Sequence, residues 1–188
     1  MPILTASAAR RVLATAAVAL ALWAGPAAQA PETLEKDVKA AFLYNFTKFV
    51  DWPQSAFEST TEPLRVCVVA DAAFTRSVDR IIEGETVRGR PLRRVVPGPT
   101  EVARCHVLFV GAPETERARE LLASVGRAPV LTVGESRRFI EQGGAISFIV
   151  VNDRVRFDVN TRATDRAGLT VSSKLLRVAR RLEEHGRP

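Results

Sequence analysis

The sequence predicts an α/β protein: a three-layer sandwich with a mixed, mostly parallel sheet, flanking helices and a β-hairpin in the C-terminal half. Two observations support this fold class. Short apolar, β-branched runs alternate with segments of helical periodicity between residues 64 and 143, which is typical of parallel strands joined by crossover helices. The two strand-like runs that follow are separated by only two polar residues, which is the pattern of an antiparallel hairpin.

The first predicted element is an amphipathic helix over residues 33–50. Acidic side chains at its start suit the positive end of a helix dipole, and Pro53 ends it because the residue before a proline is biased towards extended backbone. Apolar residues recur along it at spacings of three and four; they are Leu34, Val38, Phe42, Phe46, Phe49 and Val50.

Buried strands and crossover helices follow in alternation. The apolar runs that predict strands are residues 64–70, 106–110 and 130–133, with a shorter strand over 91–96. The helices between them are predicted from a stripe of Phe74, Val78, Ile81 and Ile82, from helical spacing over 112–125, and from Ser136, which can cap a short helix that ends at Gly143 and Gly144.

The C-terminal half contains the predicted hairpin and a last helix. Residues 145–151 and 154–159 pair through Asn152 and Asp153. Because side chains alternate along a strand, Arg154 and Arg156 lie on one face of it. Ser172 is expected to cap a helix whose apolar stripe is Leu175, Leu176, Ala179 and Leu182.

Residues 1–30 have the pattern of a secretory signal peptide. Arg10 and Arg11 precede an apolar run over 12–24 and a tail of small residues. This run is short and alanine-rich for a membrane span, which needs about 20 apolar residues. We therefore predict export, with residues 31–188 as a single domain. An uncleaved membrane anchor is the alternative, because Pro31 follows the best cleavage sequence, Ala28-Gln29-Ala30.

Cys67 and Cys105 are the only two cysteines, and both lie in apolar, strand-like runs. In an oxidising compartment such a pair suggests a disulfide. The bond would close a loop of roughly 39 residues, which corresponds to about 4 kcal/mol in the chain-entropy model. Two buried free thiols are the alternative.

Composition and motifs argue against several classes of function. The formal net charge is +6, but no basic run is interleaved with aromatic residues, so we predict no nucleic-acid partner. His106 lies in a buried-strand pattern and His185 in the tail, and no G-x-S-x-G sequence occurs. The cysteines and His106 do not supply the clustered ligands of a zinc site. We therefore predict no enzymatic activity, no metal and no cofactor.

Two groups of polar residues are candidates for binding. Asn45 and Lys48 interrupt the apolar surface of the first helix near Trp52, which predicts either a binding groove or, as we favour for Trp52, packing in the core. The arginines of the hairpin and the cations Lys174, Arg177 and Arg181 of the last helix form the second group. Arginine suits carboxylates and phosphates, and a solvated surface is the alternative interpretation.

Seven sequence blocks, in order along the chain, match a known family. They are KAAFLYNFTKFVDWP (39–53), VRGRPL (87–92), CHVLFV (105–110), PVLTV (129–133), GGAI (143–146), RVRFDVN (154–160) and SSKLLR (172–177). On these blocks the chain resembles the YfiR-like family, and the shared order of the blocks makes the resemblance specific.

The resemblance implies a small periplasmic α/β protein without catalytic activity. A well-known member represses an inner-membrane diguanylate cyclase by binding its periplasmic sensor portion, and release of the cyclase promotes cyclic di-GMP synthesis and biofilm formation. Cys67 and Cys105 match one disulfide of that member. In that member, release of the cyclase is linked to the redox state of the repressor. Its second cysteine pair has no counterpart here, because residues 145–152 contain no cysteine, and this puts such a redox switch in doubt for this chain.

We therefore expect a periplasmic regulatory binding protein whose partner is the sensor domain of an inner-membrane protein, with a homodimer as a further assembly to consider. The competing prediction is a periplasmic receptor for a small anionic ligand, on which Asn45, Lys48, Arg90 and Arg156 would converge. The candidate binding residues for either function are Asn45, Lys48, Trp52, Arg90, Arg154, Arg156, Ser173, Lys174 and Arg177.

Overall fold

A 19-residue helix, α1 (Pro31–Phe49), begins the part of the chain that the computed structural model describes, which is residues 31–98 and 100–179. Its extent confirms the predicted first helix to within two residues. The predicted signal peptide, Arg181 of the second candidate binding group and Leu182 of the last apolar stripe lie outside the described residues. Within the described ranges, no helix has both the length and the apolar character needed to cross a bilayer.

The remaining strands and helices follow in a largely alternating order. They are β1 (Val50–Asp51), β2 (Leu64–Val69), α2 (Ala72–Ile82), β3 (Thr86–Val87), β4 (Arg90–Val95), β5 (Val107–Val110), α3 (Ala118–Val125), β6 (Leu131–Gly134), α4 (Arg137–Glu141), β7 (Ile146–Val151), β8 (Arg154–Val159), α5 (Thr161–Arg166), β9 (Thr170–Val171) and α6 (Ser173–Val178). Three short 3-10 helices occupy Gln54–Ala56, Val102–Arg104 and Ala112–Arg117.

Seven strands form one mixed sheet in the order β3-β4-β2-β5-β6-β7-β8. The four central pairings, from β4 to β7, are parallel, and the outer pairings β3–β4 and β7–β8 are antiparallel. Separately, β1 pairs with β9. This topology confirms the predicted mixed, mostly parallel sheet with a hairpin in the C-terminal half.

Alternation along the strands produces two cores, one on each face of the sheet. Val66 and Phe109 face the core that α1, α2 and α6 cover. Cys67 and Leu108, which alternate with them, face the core that α3 and α4 cover. The protein is therefore the predicted three-layer sandwich.

The first core centres on aromatic residues beneath α1. Phe46 is fully buried, and its ring centroid lies 5.7 Å from that of Phe148 on β7 and 4.9 Å from that of Phe157 on β8. Phe42, one helical turn earlier, lies 5.5 Å from Phe157 in an edge-on arrangement. Edge-on and offset aromatic pairs add to the free energy of burial, so these contacts hold α1 against the hairpin.

The N-terminal half of α1 lies at the edge of the sheet where its parallel strands end. Lys39 is only 8% exposed, and its Nζ lies 2.7 Å from Glu135 after β6 and 2.6 Å from Glu35. Burial alone lowers the pKa of Lys39, but hydrogen bonds to Glu135 and Glu35 outweigh it, and the pKa is raised. Open α/β sheets usually bind ligands in this crevice; here α1 occupies the part of it next to Asp71 after β2 and Glu135 after β6.

The predicted caps and hairpin turn are confirmed. Ser136 accepts a hydrogen bond from the backbone of Phe139, and Ser172 accepts one from Lys174. Asn152 and Asp153 adopt positive φ angles of 51° and 56°, as a tight hairpin turn requires, and Asn and Asp tolerate this conformation better than most residues.

Several elements differ from the prediction. The helix expected over 112–125 is divided: Ala112–Arg117 forms a 3-10 helix, and only Ala118–Val125 is α-helical. The last helix ends at Val178, and Ala179 is extended. The sequence does not indicate α5 or the two-residue strands β1, β3 and β9, because none of them has an apolar periodicity of its own.

We expect Phe46→Ala to lower the free energy of unfolding by about 3–5 kcal/mol, because it removes a fully buried aromatic ring at the centre of the core. Chemical denaturation measures this change. Asn45→Ala is the matched control on the exposed side of the same helix and should change stability by less than about 0.5 kcal/mol. Equal effects of the two substitutions would contradict this packing arrangement.

Candidate functional site

A cavity of about 200 Å³ lies at the opposite edge of the sheet, near the start of β2. The end of α1, the residues that follow it and the β3–β4 turn supply its walls. Of the predicted site residues, Trp52 and Arg90 line it. The other lining residues are Thr47, Val50, Gln54, Phe57, Leu64, Val87 and Arg88.

His106, which directly precedes β5, holds the segment beside this cavity in place. Its imidazole is buried; Nδ1 accepts a hydrogen bond from the backbone N–H of Arg65 (2.9 Å), and Nε2 donates to the carbonyl of Ala56 (3.0 Å). The ring stacks on Phe57 at 4.4 Å. Burial lowers the pKa of His106, so the neutral imidazole is the form that makes these contacts.

Trp52 is hydrogen-bonded to the backbone of His106. Its indole Nε1–H donates to the carbonyl oxygen of His106 at 3.0 Å, and the ring is half-buried against the first core. The packing role favoured for Trp52 therefore agrees with the structure, although one side of the ring also lines the cavity.

Arg90 fixes the same segment from the other side. Its Nη1 donates to the carbonyl oxygens of Ser59 and Glu62, both at 2.9 Å. Its guanidinium lies 3.7 Å from the centroid of the Phe57 ring, a favourable cation–π distance. These contacts occupy Arg90 within the fold.

Asn45 and Lys48 remain on the exposed surface of α1. The ammonium of Lys48 lies 3.8 Å from the centroid of the Tyr44 ring, and the Tyr44 hydroxyl is hydrogen-bonded to Glu85. The four residues proposed to converge on an anionic ligand thus lie on three elements, with Asn45 and Lys48 on α1, Arg90 on β4 and Arg156 on β8.

Cys67 and Cys105 form a disulfide, which confirms the predicted pairing. Their Cα atoms are 5.9 Å apart, and both residues are buried in the second core. The bond joins β2 to Cys105, the residue immediately before His106. The disulfide and the imidazole contacts of His106 therefore both fix the start of β5.

The structure divides the second predicted binding group between the two sides of the sheet. Val155 and Phe157 of β8 pack in the core beneath α1, so Arg154 and Arg156, which alternate with them, are on the opposite face. Leu175 of α6 packs in the α1 core, and Ser173, Lys174 and Arg177 are exposed on that helix.

The structure adds two arginines to the face that carries Arg154 and Arg156. Helix α4 covers this face next to β7, with the Ser147 hydroxyl donating to the carbonyl of Ser136 at 2.6 Å, and its Arg137 and Arg138 are exposed. We call Arg137, Arg138, Arg154 and Arg156 the arginine face. None of these four side chains pairs with a carboxylate in residues 31–98 and 100–179.

In the part of the chain that the structure describes, no three histidine, cysteine, aspartate or glutamate side chains are grouped so that they could hold a metal ion. The site that the structure describes consists of the segment 52–63, which His106 and Arg90 hold in place, the disulfide and two basic surfaces. This arrangement is suited to binding an acidic surface or an anion.

Comparison with known proteins identifies one family and a related fold. A family model described as YfiR/HmsC-like matches residues 36–180. A solved structure of a conserved domain protein from Vibrio cholerae O1 biovar El Tor has a TM-score of 0.53 at 10% identity, with 78% of this chain and 59% of that chain covered.

A second solved structure, an ABC domain in complex with L-Trp from Streptococcus pneumonia, has a TM-score of 0.47 at 10% identity, with coverage of 68% of this chain and 57% of that one. The chain therefore spans less than two thirds of the length of both structures. At this level of identity, the Vibrio structure supports the fold alone.

We expect removal of the disulfide in Cys67→Ala/Cys105→Ala to lower the free energy of unfolding by about 4 kcal/mol, since the unfolded chain regains the entropy of an open loop. Urea denaturation with and without dithiothreitol measures this. Reductant should bring the wild type towards the stability of the variant and leave the variant unchanged. A loss below about 1 kcal/mol in both cases would contradict the structural role.

We expect stability to fall as the pH is lowered from 7.5 to 5.0. The unfolded chain protonates His106 near its ordinary pKa of 6.5, whereas burial depresses the folded pKa, so protons favour unfolding below about pH 6.5. Denaturation at several pH values measures the slope. His106→Gln should reduce it, and His185→Gln, which changes the only other histidine, should retain it. An unchanged slope in His106→Gln would refute this assignment.

Proposed function

The chain belongs to the YfiR/HmsC-like family, and from this membership we propose that it represses a membrane-bound diguanylate cyclase from the periplasm by binding the cyclase's periplasmic sensor portion. The family supports a periplasmic, regulatory role in diguanylate cyclase systems, and membership is the observation that carries the proposal. Repression would lower cyclic di-GMP and restrain biofilm formation.

Repression without turnover requires a difference in binding free energy. A regulator shifts its partner towards an inactive state only if it binds that state more tightly than the active one. The regulator therefore needs a surface with enough apolar area and enough specific polar contacts to distinguish the two states of the sensor portion.

We assign this contact to the arginine face and the adjoining edge of the sheet. β8 is the last strand in the sheet order, so its outer edge can accept contacts from another chain. Val151 pairs with Arg154 at the tip of the hairpin and is 37% exposed on the arginine face; Val150 pairs with Val155 and is 49% exposed on the other face of the sheet. An exposed aliphatic side chain beside arginines that have no carboxylate partner among the described residues is typical of a protein interface.

Charge indicates the chemistry of the partner surface. Four exposed arginines, none of which pairs with a carboxylate within residues 31–98 and 100–179, create a positive potential that favours an acidic surface and accelerates association with it. We therefore expect the sensor portion to present carboxylates towards the hairpin. The exposed α6 residues Ser173, Lys174 and Arg177, next to Val178 at 65% exposure, form a second basic surface that can be tested separately.

We expect the purified protein to bind, saturably and at physiological salt, the periplasmic sensor domain of a diguanylate cyclase encoded beside it. Arg154→Glu/Arg156→Glu should weaken binding by about tenfold or more, because two favourable charge contacts become repulsive. Biolayer interferometry on the immobilised sensor domain measures this. Arg76→Glu/Arg93→Glu is the matched control, since both arginines are exposed on α2 and β4 and neither forms an ion pair among the described residues.

Lys174→Glu/Arg177→Glu, measured in the same way, distinguishes the two basic surfaces. If this variant loses binding and Arg154→Glu/Arg156→Glu does not, the contact belongs to α6 and the assignment to the arginine face is wrong. If the wild type does not associate and deletion of its gene leaves cyclic di-GMP unchanged, the proposed function is wrong.

A further inference from the structure

A second cavity, of about 280 Å³, lies at the amino ends of β6 and β7, away from Trp52 and Arg90. It is lined by the end of α3, the segments that precede β6 and β7, and one side of α5. Its walls combine polar groups with small aliphatic side chains; the aliphatic residues include Leu122, Ala123, Ala128, Val130, Ala163 and Ala167. None of the candidate binding residues from the sequence lines this cavity.

The course of the backbone explains why space remains there. β7 pairs with β6 at only two positions, Val133↔Ile146 and Gly134↔Ser147. Before these positions the strands are joined by a side chain instead, because Thr132 Oγ1 accepts a hydrogen bond from the backbone N–H of Ala145 at 3.0 Å. The two chains diverge towards their amino ends, and α5 covers the resulting gap.

Three polar side chains line this cavity with groups that have no partner in the part of the chain that the structure describes. Arg119 of α3 and Arg166 of α5 line it, and neither makes an ion pair or hydrogen bond among the described residues. Gln142 also lines it, and its Oε1 is buried with no hydrogen-bond donor. Buried polar atoms are normally hydrogen-bonded, so the unpaired Oε1 indicates that a donor from a ligand completes the arrangement. The exposed guanidinium groups of Arg119 and Arg166, which line the same cavity, are available to an anionic group of that ligand.

We propose that this cavity binds a small organic acid that carries a hydroxyl group next to its carboxylate and an apolar substituent. The carboxylate lies between Arg119 and Arg166, which supply charge-assisted hydrogen bonds. The hydroxyl donates to Gln142 Oε1, and the apolar substituent packs on Leu122 and the alanines. The proposal does not rest on the repressor function, since it requires no protein partner.

Mandelate, which has all three features, is the probe. Isothermal titration calorimetry should show saturable binding of mandelate, and mandelate should raise the Tm because it binds the folded state. The neutral amide, mandelamide, should bind at least about tenfold more weakly, because it cannot form the charge-assisted contacts. Arg166→Gln and Arg119→Gln should each weaken mandelate binding by about tenfold.

Arg162→Gln is the matched control, because Arg162 is exposed on the same helix as Arg166 and does not line the cavity. It should leave mandelate affinity unchanged. Gln142→Leu should reduce the affinity for mandelate to that for phenylacetate, which lacks the hydroxyl. The absence of saturable binding, equal binding of mandelate and mandelamide, or equal affinities in the wild type and both cavity arginine variants would each overturn the proposal.

Discussion

Burial of α1 across one face of the sheet is the constraint on which the other features depend. Its phenylalanines pack on β7 and β8, and Lys39 enters the crevice beyond β6 as an ion pair with Glu135. This helix therefore takes part of the position where open α/β sheets usually bind their ligands. A cavity of about 230 Å³ remains at the same edge beside the ends of β2 and β4, and the hairpin edge, the exposed side of α6 and the cavities at the amino ends of the strands are also open to binding.

At the amino end of the sheet, two consecutive residues just before β5, Cys105 and His106, hold neighbouring segments in place. Cys105 joins β2 through the disulfide, and His106 holds Ala56, Phe57 and Trp52. Since residues 52–63 contain only a short 3-10 helix, these contacts give the segment its conformation. The contacts of His106 and Arg90 thus replace the regular backbone pairing that the segment lacks, and the disulfide fixes the strand start that carries His106.

The sequence allowed the prediction of features that rest on local patterns. Apolar runs indicated β2, β5 and β6, and the Cys67–Cys105 pairing followed from compartment and burial. By contrast, α5 has no apolar stripe. Its start is fixed by Asn160, whose side chain accepts a hydrogen bond from the backbone N–H of Ala163.

Features that depend on how distant segments meet could not be predicted. Alternation along β8 placed Arg154 and Arg156 on one face of that strand, but only the packing of α6 on the α1 side showed that Lys174 lies across the sheet from them. Arg119, Gln142 and Arg166 come from separate segments that no local pattern connects.

The central claim is repression by direct contact. The most direct test reconstitutes the full-length diguanylate cyclase in vesicles, adds this protein on the sensor side and measures the rate of cyclic di-GMP synthesis. The account predicts that the rate falls saturably as the protein is added; an unchanged rate at concentrations that saturate the sensor would contradict it.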